Sequence, residues 1–193
     1  MWDQPTSQRA IIFAGCLGMA YTQLTTSPAT IEFARAHGAD GLHIGILGAL
    51  PTATIFMQFV AAVLVNHLQY RRTVWFTVSI LQRLVYVPIA LGPWLVKDLS
   101  GVAWVWALIA ATALNHALLH FCTPLWMSWM GDYLPRDGLN RFWGRRHQWM
   151  QWTAALSLLA AALLLLKGGW SITPAFAVLI GVGATLGVID ILL

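Results

Sequence analysis

Charge is what this chain has least of. Of its 193 residues only 11 are Lys or Arg and 7 are Asp or Glu, 9% in all, where a soluble domain carries about 25%. So few charges do not solvate a globular exterior. That excludes the ordinary cytosolic enzyme, the DNA reader and the disordered chain, and leaves the lipid bilayer as the main solvent. Cysteine is scarcer still: Cys16 and Cys122 lie far apart inside apolar stretches, which does not support a disulfide framework. Hydrophobic residues, by contrast, make up 59% of the chain and Trp alone supplies 11 positions.

About 20 apolar residues are needed to cross about 30 Å of hydrocarbon. Six segments of that kind are expected, at residues 10–31, 42–65, 74–96, 102–130, 149–166 and 174–193. Backbone groups in lipid must be satisfied within the segment, so such runs are helices. The expected fold class is all-α, a polytopic transmembrane helix bundle.

Orientation follows from Lys and Arg by side. With the N-terminus cytoplasmic, that side holds Arg9, Arg71, Arg72, Arg136, Arg141, Arg145 and Arg146; the other holds Arg35, Lys97 and Lys167, and Arg83 lies within the third span. The positive-inside rule then puts both termini in the cytoplasm. The net charge of +4 is accounted for by these juxtamembrane clusters, so no nucleic-acid partner is expected. The tryptophans fall at or near span ends, the headgroup level that indole prefers. The first span is read as retained, because its apolar stretch runs on without a small-x-small cleavage signal. The last span runs to Leu193 without a polar tail, as expected for part of a longer chain.

Polar residues inside spans carry the functional information, since each is expensive in hydrocarbon. In the fourth span Thr112, His116, His120 and Thr123 share one helical face, with Asn115 beside it and His116 near the middle. Two readings stand: histidines hydrogen-bonded to neighbouring helices, or a stripe lining a water-accessible cavity where His116 and His120 meet a solute or a proton, as a pKa near 6.5 suits. The first span has a polar second half in which Gln23, Thr26 and Thr30 share a face, and Pro28 favours a kink. Either its hydroxyls bond back to the helix, or the face lines the same cavity. His116 and His120 have the spacing of a zinc-protease helix, but Ala117 stands where its Glu base belongs and two ligands are too few. No metal, cofactor or catalytic residue is therefore expected, and the chain is not read as an enzyme.

Arg83 stands about nine residues inside the third span, about 13 Å along the axis. It must pair, snorkel or bind substrate; Asp190, the acidic residue within the sixth span, is the candidate partner. Gly41, Gly45 and Gly48, and Gly181, Gly183 and Gly187, are spaced for close helix approach.

The loop between the fourth and fifth spans runs from Gly131 to Arg146 and contains Asp132, Pro135, Arg141, Gly144 and Arg145. An acidic residue at a helix end, then Pro, then an Arg and Gly pattern, with six helices and both ends inside, resembles the N-terminal half of a major facilitator superfamily transporter. The loop between the second and third spans carries that family's basic pair as Arg71 and Arg72, but departs from it with His67 in place of Asp and Tyr70 in place of Gly. The resemblance implies two inverted three-helix repeats, a twelve-helix whole, and a cavity lined by the first and fourth helices. It further implies a plasma-membrane secondary transporter moving a small solute by alternating access, with or without proton coupling. The partners implied are the solute, the lipid bilayer, and a C-terminal six-helix half or a second copy. The alternative is a non-transporting membrane scaffold or assembly factor of the same fold.

Overall fold

Three prolines shape the first half of the chain. In the computed structural model, which describes residues 4–26, 28–65, 67–134 and 138–193, each of the first three spans is a pair of helices with a proline at or near the break. Helix α1 (Gln4–Thr25) gives way to α2 (Pro28–Ala36), α3 (Gly41–Ala53) to α4 (Met57–Val65), and α5 (Arg71–Leu84) to α6 (Val87–Leu95). Pro28 opens α2, Pro51 lies in the last turn of α3 and Pro88 in the first turn of α6. A proline donates no backbone hydrogen bond and crowds the preceding turn, so the ladder ends nearby. The remaining spans are unbroken: α7 (Gly101–Tyr133), α8 (Leu139–Lys167) and α9 (Ile172–Leu192). Pro124 is accommodated inside α7. All regular structure among the described residues is helical.

Among the described residues five segments are long and apolar enough to cross a membrane: Gly41–Val65, Arg71–Leu95, Gly101–Gly131, Leu139–Leu166 and Ile172–Leu192. The all-α, membrane-spanning character expected from the sequence is thereby met. Helix α1 has 22 residues but is not among the five; Ser7, Gln8 and Arg9 near one end and Thr22, Gln23 and Thr25 at the other dilute its apolar stretch. The helix of the fifth span, α8, begins at Leu139, ten residues before the expected apolar start. Arg141, Gly144, Arg145 and Arg146 are therefore helical and not loop residues, a correction that follows because hydropathy registers the lipid-soluble part of a helix and misses its polar turns.

The chain divides into two packed units. In one, α1 packs against α8 and α9. Tyr21, Leu24 and Thr25 of α1 and Phe176, Ile180 and Ala184 of α9 are buried there, and Gly183 permits close approach: a Cβ on it would stand 3.2 Å from Thr25 Cγ2 and 3.4 Å from Leu24 Cβ. Not every glycine serves this purpose. Within their own units, Gly41, Gly45, Gly48 and Gly181 have nothing within 4 Å of where a Cβ would lie.

In the other unit α7 is the hub, packed against α3, α4, α5 and α6. Val105, Leu108 and Leu125 are its buried apolar ridge. Trp104, near the start of α7, is buried, with its ring laid where any Cβ on Gly92 of α6 would overlap it. Helix α2 ends in a turn at Gly38, φ +92°, whose neighbour Ala39 N–H reaches back to Ala34 C=O at 3.0 Å, a left-handed cap open to glycine.

Asp40 then caps α3: its Oδ1 accepts from His43 N–H at 3.0 Å and lies 2.7 Å from His43 Nδ1. These hydrogen bonds favour the ionised form and hold the carboxyl below its ordinary value. A depressed carboxylate stabilises above its unfolded pKa and loses that contribution as pH falls through its folded pKa. Amide protection in the first turn of α3, corrected for intrinsic exchange, is therefore expected to fall on acidification below about pH 4. In Asp40→Asn, which caps without titrating, that pH dependence is expected to vanish.

Candidate functional site on helix seven

The last four C=O groups of a helix have no donor ahead of them within that helix, which makes the breaks in α3–α4 and α5–α6 places where other donors are called for. In hydrocarbon each needs another donor. Helix α7 supplies them. At the α3 end, Thr54 N–H and Thr54 Oγ1–H both go to Leu50 C=O, at 3.0 and 2.8 Å, and Ile55 N–H turns to Thr52 C=O at 3.2 Å. Pro51 C=O is met by His120 Nε2 at 2.9 Å. A carbonyl only accepts, so the proton sits on Nε2 and leaves Nδ1 as an acceptor, 3.1 Å from Gln58 Nε2. One imidazole thus joins both halves of the broken span to α7.

The third span is treated the same way. Asn115, buried, donates from Nδ2 to Gln82 C=O at 3.0 Å, in the last turn of α5. At the break itself Tyr86 Oη donates to Thr112 Oγ1 at 3.3 Å, and Ser79 Oγ reaches Cys122 Sγ at 3.4 Å. Thr123 spends its hydroxyl on its own helix, at Leu119 C=O.

His116 is the exception. It lies near the middle of α7, half-buried, and makes no hydrogen bond among the described residues; its one ring contact is with His120, centroids 6.5 Å apart. Because both nitrogens of His120 are in use, the two rings do not present a ready pair of metal ligands, and no cluster of three His, Cys, Asp or Glu side chains occurs among the described residues.

At the end of α1 and the start of α2, in the other unit, the hydroxyls bond locally: Thr26 Oγ1–H to Thr22 C=O at 2.7 Å and Thr30 Oγ1–H to Thr25 C=O at 2.7 Å, across the break. Gln23 has only the Met19 thioether, 3.6 Å from its Nε2, a weak acceptor. Among the described residues, Gln23 and His116 are thus the two expected pathway residues whose side chains have no strong partner.

The charged positions fall as follows. Arg71 and Arg72 open α5; Arg71 Nη1 lies 3.4 Å from Ser128 Oγ and the Arg72 guanidinium 5.3 Å from the Trp129 ring centroid, both at the far end of α7. Arg83 is buried, with Nη1 2.6 Å from Gln82 Oε1. It belongs to one unit and Asp190 to the other. Within its own unit Asp190 acts electrostatically on Arg146 of α8, whose guanidinium lies against Gly15 of α1, where a Cβ would stand 2.8 Å from Nη2, and 5.5 Å from the Trp143 ring centroid. Arg141, Gly144 and Arg145 are exposed on α8. Pro135 lies outside the described residues, as does the side chain of Asp132.

Gln58 and Arg146 are the residues sequence reasoning missed. A lone Gln in an otherwise apolar span was a signal for the first; Arg146 was indistinguishable from its basic neighbours. No protein-family model, curated protein sequence or solved structure matches the chain.

Proposed function

We propose that this chain is the N-terminal six-helix half of a secondary transporter of the major facilitator kind, set in the plasma membrane with both termini cytoplasmic. It moves a small solute by alternating access, completed by a C-terminal half or a second copy, and His116 is the group on α7 that meets the solute or a coupled proton. The observation that carries this reading is the unspent imidazole. In a face where Thr112, Asn115, His120 and Thr123 all have hydrogen-bond partners, a polar ring kept at mid-helix without one is costly unless water or a ligand reaches it.

Two further features agree. Broken spans held by a neighbouring helix are the usual way in which transporters place irregular backbone at membrane depth. The packing supports paired three-helix repeats: the first span packs on the fifth and sixth, the fourth on the second and third. Exchanging the two triplets interconverts these two sets of contacts, and the smaller α8–α9 contact stands outside that exchange.

Cys16 and Cys122 are the only cysteines, so a Cys16→Ser/Cys122→Ser background gives a clean accessibility test. His116→Cys in that background is expected to react with a water-soluble, membrane-impermeant thiol reagent in intact vesicles, while Leu159→Cys is expected to stay unreactive. An inert His116→Cys would remove the site. The scaffold alternative draws support from the internal pairing of Thr26, Thr30, Asn115 and His120. It requires that reconstituted vesicles show no solute flux while the protein co-purifies with a membrane complex.

A further inference from the structure

One face of α8 begins at Arg145 of the basic loop pattern and continues through residues to which the transport reading gives no part. Arg145, Gln148, Trp149, Trp152 and Leu156 line a groove of about 510 Å³. Their spacings of three, four, seven and eleven from Arg145 put them on a single helical stripe. Trp149 is 51% exposed, Trp152 62% and Leu156 64%. None of the four polar-tipped side chains makes a side-chain hydrogen bond or ion pair among the described residues.

The chemistry of the stripe is one-sided. A guanidinium and an indole N–H donate and never accept, and α8 contains no acidic residue. The complement is an anion rich in acceptors. Beyond Trp152 the stripe turns aliphatic, through Leu156 to Leu159 and Leu163, 55% and 44% exposed. From Arg145 to Leu156 is about 16 Å along the axis, close to half the roughly 30 Å of hydrocarbon. Cation and amide, then two indoles, then leucines follow the order of phosphate, glycerol ester and acyl chain.

We propose that this groove binds one anionic phospholipid, with its phosphate on Arg145 and Gln148, its glycerol region against Trp149 and Trp152, and an acyl chain along Leu156, Leu159 and Leu163. A soluble anion would leave the leucines unused, and an apolar helix would leave the guanidinium unpaired at a membrane interface.

The test is native mass spectrometry of the full chain released from nanodiscs of equimolar phosphatidylglycerol and phosphatidylcholine. The expected result is a single retained phosphatidylglycerol, favoured about tenfold, as one charge-assisted contact of about 1.4 kcal/mol provides. Arg145→Gln is expected to abolish the preference and Trp152→Ala to weaken retention of both lipids, whereas Lys97→Gln, an exposed cation elsewhere, is expected to change neither. An unaltered preference in Arg145→Gln overturns the proposal. So does an unaltered retention in Trp152→Ala, which would reduce the effect to surface charge, and so does the absence of retained lipid in the wild-type chain, which would mean that a protein segment fills the groove. Arg145 is exposed, so its substitution is not expected to disturb folding, and an unchanged melting profile of each variant verifies this.

Discussion

His116→Ala is expected to lower solute uptake at least about tenfold, the equivalent of one lost hydrogen bond to a ligand at ~1.4 kcal/mol. Membrane insertion and thermal stability should stay within about 0.5 kcal/mol of the wild type. The separation of the two readouts is the informative part. His116 has no hydrogen-bond partner among the described residues, so removing it orphans no protein group, and a stability loss would mean that the ring packs more than it binds. His116→Gln, which keeps a donor and an acceptor but cannot take up a proton, divides solute contact from proton coupling. Retained uptake with lost pH dependence assigns the proton; lost uptake assigns the solute. Uptake unchanged in both variants would leave α7 a structural helix alone.

The second large effect is structural. Asn115→Leu removes the donor that α7 sends to Gln82 C=O, in a buried setting and without opening much space. An intramolecular hydrogen bond is worth about 0.5–1.5 kcal/mol net, and hydrogen bonds between membrane helices average roughly 0.6 and reach about 1.7 kcal/mol. A loss of about 1–2 kcal/mol is expected in reversible unfolding from detergent or bilayer. His120→Leu, which breaks contacts to both Pro51 C=O and Gln58, should match or exceed it. Thr123→Ala gives the contrast, since its hydroxyl bonds only to its own helix. If Asn115→Leu proves no worse than Thr123→Ala, the carbonyl finds another partner and the capping role of α7 fails.

How far the sequence spoke differs element by element. The spans at 42–65, 74–96, 102–130 and 174–193 lie within a few residues of the helical segments observed, because sustained apolarity is a property of composition that needs no tertiary context. The breaks in the second and third spans were not read. Pro51 and Pro88 sit among apolar residues, and a hydropathy window passes over them, although the rule applied to Pro28 covers all three. The polar face of α7 was legible from spacing, but its meaning was not. Whether Asn115 and His120 serve neighbouring helices or a cavity depends on which carbonyls stand opposite, and those belong to Gln82 and Pro51, 33 and 69 residues away. Asp190 was visible as an acid in a span. That Arg146 is its electrostatic neighbour within its own unit required α8 to start earlier than its apolar stretch.

The break carbonyls also set a timetable for the ribosome. Synthesis delivers Pro51 and Gln82 long before His120 and Asn115, so the second and third spans enter the membrane with unfinished backbone and are completed only when α7 emerges. From that moment the unit built on α7 is contiguous in sequence and has all its parts. Helix α1 has the opposite fate: the helices it packs against, α8 and α9, follow it only after the whole of the other unit has been translated. Until α8 emerges α1 must be held by lipid or by the insertion machinery, and chains halted near residue 134 would carry one finished unit and α1 without the helices it packs against.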